Sequence, residues 1–157
     1  MAQELAQNGQ DLALKALVGG AILARKTWVV PCTSVPSADR VVTATEVYTA
    51  RFQGADPIET DNTDWDWATP TGTSPNARVA DNLNALATAA AAALGAPIDV
   101  THFAVVQTDD DLVPDDADTY SNVDVVIGQG ALDSTKSGVD NGDVISFAAG
   151  SITVSVD

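Results

Sequence analysis

The stretch Ile152-Thr153-Val154-Ser155-Val156, at the C-terminal end, alternates apolar and small polar residues over five positions. A period of two puts Ile152, Val154 and Val156 on one side of an extended segment and the two hydroxyls on the other, the pattern of a sheet with one buried face. Upstream, Val144 begins the same β segment, Gly142 breaks the backbone before it, and 133–141 reads as a turn. Val123–Leu132 reads as a further strand and Ile98–Val106 as another, with the carboxylate-rich stretch Asp109–Asp118 as the loop between them. Everything after Pro97 is therefore expected to be β, from about 98 to 157. Strands separated by turn signals, without intervening helices, favour antiparallel pairing over a parallel α/β sheet.

Further outward, residues 77–94 carry Val79, Leu83, Leu86, Ala90 and Leu94 at helical intervals around five consecutive alanines, Ala89–Ala93. With Asn76 as N-cap and Gly95 and Pro97 as the stop, the spacing predicts a helix. Residues 53–76, rich in Gly, Pro, Asp, Asn and Thr, read as a long loop. Trp65 and Trp67 lie inside it, two positions apart and so on one side of an extended segment. They are expected either to plug the edge of the core or to anchor a subunit contact, because Trp is enriched among interface hot spots. Arg40–Phe52 and Thr27–Val30 read as strands joined by a turn at 34–39, and 3–18 as a helix stopped by Gly19-Gly20. The expected fold is mainly β within the α+β class: one antiparallel sandwich-like domain with an N-terminal helix and one inserted Ala-rich helix.

Charge is the most unusual property. Acidic residues number 22 and basic ones 7, a net charge of −15, and 19 of the acids are Asp. In dilute buffer such self-repulsion destabilises the compact state, whereas in molar salt the Debye length falls to about 3 Å and the repulsion is screened. The composition points to a protein adapted to concentrated salt. It excludes nucleic acid and anionic membrane as partners, since phosphate recognition needs a basic surface. No apolar run approaches the ~18 residues of a membrane span. The start, Met1-Ala2-Gln3-Glu4, lacks the basic and apolar regions of a secretory signal and predicts use without the general export route.

Reaction chemistry has few candidates. Cys32 is the single cysteine, expected to be a small buried hydrophobe. His102 is the single histidine, in a segment that reads as a buried strand, and is expected to be structural. Gly128-Gln129-Gly130 begins like a dinucleotide fingerprint, but Asp133 follows where a third glycine belongs and no helix is forecast. Acidic clusters supply oxygen ligands of the kind that calcium or magnesium accepts. They are Asp109, Asp110 and Asp111; Asp115, Asp116 and Asp118; and Asp61, Asp64 and Asp66. None has the spacing of an EF-hand loop. The first two clusters are candidates for weakly held cations, and no cofactor or catalytic residue is expected.

The C-terminal third resembles a family of small tailed-phage virion proteins, described as tail-fibre or minor virion structural proteins. The resemblance rests on Val100-Thr101-His102-Phe103-Ala104-Val105, then Gly128-Gln129-Gly130-Ala131-Leu132, then the closing block Asn141-Gly142-Asp143-Val144-Ile145-Ser146-Phe147-Ala148-Ala149-Gly150-Ser151-Ile152-Thr153-Val154. The start is similar through Leu17-Val18-Gly19-Gly20-Ala21 and Thr27-Trp28-Val29-Val30. The Ala-rich middle departs from the pattern. What the resemblance implies is a multimeric part of a tailed virus particle without enzymatic residues, assembled in the host cytoplasm from copies of itself and other virion proteins. With the acidity, the host would be salt-loving. The place on the particle would be the capsid surface, as decoration or turret, or the tail and its fibres. The alternative from the residues alone is a cell-associated β-sandwich module that recognises a glycan or an envelope protein.

Overall fold

A computed structural model describes residues 3–4, 26–39, 41–61, 63–68, 78–90, 96–108, 113–114, 120 and 123–156. In sequence order the strands are β1 (Gln3–Glu4), β2 (Lys26–Cys32), β3 (Ile58–Thr60), β4 (Trp65–Ala68), β5 (Arg78–Asn82), β6 (Leu86–Ala89), β7 (Ile98–Thr108), β8 (Val123–Val139), β9 (Val144–Phe147) and β10 (Thr153–Val156). Among the described residues one helix, α1 (Ala44–Ala50), lies between β2 and β3.

The central sheet has the order β3-β2-β7-β8, antiparallel throughout. β2 and β7 are covered on both faces, which is why they read as continuous apolar runs, Trp28-Val29-Val30 and Phe103-Ala104-Val105-Val106, and not as alternations. One face presents Val29, Val100, Phe103 and Val105 to a core shared with Phe52, Trp65, Leu86, Ile145, Phe147 and Ile152. These partners come largely from the outer sheets, β1-β10-β5-β4 and β6-β9, and the loops beside them. The other face presents Trp28, Val30, Cys32, Ala104, Val106 and Val126 to Val42, Val47 and Ala50 of the α1 region and to Tyr120. Pro31 fits inside β2 because its carbonyl accepts from Phe52 N–H at 2.8 Å. A strand residue's N–H and C=O point the same way, so the missing donor faces residues 50–52 and takes nothing from the pairing with Phe103 on β7.

The mainly β, antiparallel character follows the sequence reading, with β1 and β10 as a parallel exception. Individual elements differ. Where the helix over 77–94 was expected, 78–90 form β5 and β6 with a turn between, while 77 and 91–94 lie outside the described residues. Helix propensity yields here because Asn82 is buried and its amide bonds across the turn, a competition that short polar side groups win over a helical ladder. The expected helix over 3–18 begins instead as β1, paired to Val154 and Ser155; residues 5–18 lie outside the described residues. The strand expected over 40–52 is a loop and α1. Thr43 and Glu46 form a capping box there, which nucleates a helix in spite of β-branched neighbours. The long loop 53–76 contains β3 and β4, and the turn expected at 133–141 is the continuation of β8, the backbone reversing only at Asp140–Asp143.

Candidate functional site

The single histidine and the single cysteine are brought side by side. Cys32 pairs with His102 across β2 and β7, Arg51 bridges to Cys32 on one flank, and Ala131 of β8 pairs with His102 on the other. Next to this row β7 and β8 fall out of step. Val100 pairs with Lys136 and His102 with Ala131, so β8 carries Leu132, Asp133, Ser134 and Thr135 where β7 has Thr101 alone. Bulges of this kind re-aim side groups and recur beside functional sites, which makes this row the natural place to look for chemistry.

Each member of the row makes a defined set of contacts. Cys32 is fully buried, and its thiol donates to Val30 O at 3.4 Å. Desolvation pushes its pKa up to about 12, with the Arg51 charge pulling weakly the other way. At neutral pH it is a thiol and not the thiolate that attacks carbonyls or binds metals. The Thr101 hydroxyl gives its only proton to Thr33 O at 2.8 Å, so at 2.7 Å it accepts from Nδ1–H of His102. The neutral imidazole is thereby fixed as the Nδ1–H tautomer, with its lone pair on Nε2. Burial lowers the His102 pKa, because the charged ring is less well solvated there. Arg51 is buried, and its guanidinium donates to Ala55 O at 3.2 Å. The row acts as a latch that ties β7 to the loop after β2.

A second latch uses Gln129, the centre of the Gly-Gln-Gly stretch. Its Oε1 accepts Ser37 N–H at 3.0 Å and its Nε2 donates to Ser37 O at 2.7 Å, as a neighbouring strand would. Ser37 Oγ donates to Glu46 Oε1 at 2.9 Å. Glu46 Oε2 accepts from both N–H and Oγ1 of Thr43 at 2.8 Å. The polar relay through Gln129, Ser37, Glu46 and Thr43 fastens α1 to β8.

Two pairs of carboxylates stabilise turns. Asp61-Asn62-Thr63-Asp64 and Asp140-Asn141-Gly142-Asp143 share the pattern Asp-Asn-x-Asp and the same wiring. The first Asp N–H donates to Oδ2 of the last, at 3.0 Å in one turn and 2.9 Å in the other. The last Asp N–H returns to the first carbonyl at 3.1 and 3.0 Å. Oδ1 of the first Asp accepts from the turn itself, from Thr63 N–H at 2.6 Å and from Asn141 N–H at 2.7 Å. The bonds from Thr63 hold the Asp61 carboxyl below its ordinary pKa. Asp64 O accepts from Leu83 N–H and Asp143 O from Ala90 N–H, so the two turns grip the backbone on either side of β6. Asp66 stands opposite Asp81 in the β4–β5 register.

Asp109, Asp110, Asp111, Asp115, Asp116 and Asp118, the weak cation candidates, lie outside the described residues. Among the described residues no three His, Cys, Asp or Glu side groups are gathered as a metal site would be. Trp65 is 9% exposed within the first core, and its Nε1–H donates to Thr60 Oγ1 at 3.3 Å. Trp67, two positions on, pairs with Ala80 in the β4–β5 register; its side group lies outside the described residues.

Sequence reasoning missed Gln129, Asn82 and Glu46. Thr43-x-x-Glu46 was the available signal for the last, and the repeated Asp-Asn-x-Asp for the turns. No family model matches this protein, and no curated protein or solved structure matches it either.

Proposed function

We propose that the protein is a structural accessory subunit of a tailed virus particle whose host lives in concentrated salt. It would be present in several copies on the capsid surface, as decoration or turret, or at the tail and its fibres. The observation that carries this reading is the closing block, Asn141–Val154, on which the resemblance to small virion proteins chiefly rests. In the fold that block supplies β9, the start of β10, and Ile145, Phe147 and Ile152 of the first core. The residues with the most reactive potential, Cys32 and His102, serve as packing and as a latch, which accords with a part that works by fitting against other parts.

The saline setting draws support from the charge of −15 and from the register of β4 and β5, which pairs Asp66 with Asp81. Like charges directly opposite one another weaken a sheet unless salt screens them. Partners of such a surface are further copies of the protein and other virion proteins, with calcium, magnesium or other salt cations between carboxylates. The test is peptide identification on purified particles, combined with antibody labelling of their heads and tails. Recovery at a fixed stoichiometry supports the reading. A protein missing from particles, free as a monomer and bound to a glycan or envelope protein, overturns it.

A further inference from the structure

Asn141 and Gly142 form the tip of the turn between β8 and β9. Asn141 is exposed, and its N–H donates to Asp140 Oδ1 at 2.7 Å. Gly142 sits at φ +87°, and a Cβ placed on it would meet nothing within 4 Å. A carboxamide therefore stands next to a main-chain nitrogen that no substituent shields. That nitrogen is held, however: Gly142 N–H donates to Ala90 O at 2.8 Å, and Ala90 N–H donates to Asp143 O at 2.8 Å. These reciprocal bonds continue the β6–β9 pairing just past Ala89↔Val144.

We propose that Asn141 is a site of spontaneous self-modification through a succinimide, at a rate set by opening of the β6–β9 pair. In the reaction Gly142 N gives its proton to solvent base and attacks Asn141 Cγ, closing a five-membered ring. The bond from Cγ to the amide Nδ2 breaks, and ammonia leaves with a proton taken from water. A second water then opens the ring at one of its two carbonyls, giving aspartate or isoaspartate at position 141. The attack requires Gly142 N to leave Ala90 O, so the end of the strand pair must open first. The carboxylates of Asp140 and Asp143 flank the nitrogen in sequence and oppose the amide anion, a second brake on the closed turn.

The sister turn does not share this liability. Thr63 follows Asn62 there, its branched Cβ crowds the nitrogen, and its N–H is held by Asp61 Oδ1 at 2.6 Å. Modification at Asn141 has a structural consequence, because isoaspartate adds a methylene to the backbone. The turn then cannot keep the bonds from Gly142 to Ala90 and from Asp143 to Asp140 together, and β9, with Ile145 and Phe147 in the first core, loses its anchor.

The full-length protein is incubated in mildly alkaline buffer with molar salt, folded in one sample and urea-denatured in another. Peptide mapping follows the amide-to-acid mass change and separates aspartate from isoaspartate. Expected is conversion at Asn141 and not at Asn62 in the folded protein, slower than at Asn141 in the denatured protein by roughly tenfold or more. Val144→Gly, which weakens the exposed edge of the strand pair without a core cavity, speeds the reaction while tryptophan fluorescence stays native. Gly142→Ala suppresses it. Equal rates at Asn141 in folded and denatured protein would show that the strand pair does not govern the reaction. No reaction in folded Val144→Gly, while the denatured protein reacts, would show that the turn is not a site.

Discussion

Gln129 holds Ser37 by both polar groups of its backbone, accepting from the N–H at 3.0 Å and donating to the carbonyl at 2.7 Å. One carboxamide thus stands in for a missing strand at the place where the loop after β2 crosses β8. Gln129→Leu keeps much of the volume and removes both bonds, leaving polar groups of the buried Ser37 backbone unpaired. The expected loss is about 1–3 kcal/mol in urea unfolding. Amide exchange of Ser37 should rise more than that of Val30 or Val105, and equal acceleration at all three would argue against a local latch.

Asn82 is the corresponding hub on the other side of the central sheet. Its Nδ2 donates to Asn84 O at 2.9 Å and to Ala148 O at 2.8 Å, while Oδ1 accepts from Ile152 N–H at 2.8 Å. Asn82→Ala strands three backbone groups and should cost about 2–4 kcal/mol. Asn82→Asp retains the acceptor for Ile152, loses both donors and adds a charge; it should be no more stable than the alanine variant. A small effect of either, measured by denaturant titration, would show that water replaces the amide.

Asp81 is the register partner of Asp66 in the β4–β5 pair. Asp81→Asn removes one of the two charges, so stability at roughly 0.1 M salt should rise by about 0.2–1 kcal/mol, with the gain vanishing toward molar salt where the Debye length is about 3 Å. Thermal unfolding across a salt series checks this. An Asp81→Asn gain that does not depend on salt would locate the effect in hydrogen bonding and not in charge.

Acid should act in two stages. Burial places the His102 pKa below its ordinary value of about 6.5, so the unfolded state takes up that proton first. The stability that the neutral ring contributes is therefore complete above about pH 6.5 and declines as pH falls through and below that value. The Glu46 carboxyl, lowered chiefly by the Thr43 N–H, and the Asp61 carboxyl, lowered chiefly by the Thr63 hydroxyl, contribute stability above their unfolded values of about 4. That part is lost as pH falls further, through their folded values. Urea midpoints from pH 8 to pH 3 should show both stages, and His102→Gln should remove the first while sparing the second.

The β class, the strand at β7 and the start of β8 were legible as runs rich in apolar and β-branched residues, and the strand at the C-terminal end as an alternation of Ile and Val with Thr and Ser. The helical spacing of Val79, Leu83, Leu86 and Ala90 misled; what decided was Asn82, whose amide had partners 66 and 70 residues away. Periodicity carries no information about such distant bonds. The α1 segment shows the reverse: Thr43-Ala44-Thr45-Glu46 contained the signal for a helix start, and counting β-branched residues outweighed it. The pairing of Cys32 with His102 was invisible in principle, because register between strands about 70 residues apart is fixed by the packing of both faces.

The mismatch between β7 and β8 bears on how such a protein tolerates change over generations. Ala131 is positioned by His102 and Lys136 by Val100, each independently of the other. The stretch between them has no one-to-one register with β7: a residue can be gained or lost there without turning the flanking residues to the wrong face. Elsewhere in a sheet the same event would invert every residue beyond it. Length variation among descendants of this sequence should therefore gather at that spot, making it the place where a new peptide can be spliced in with least disturbance.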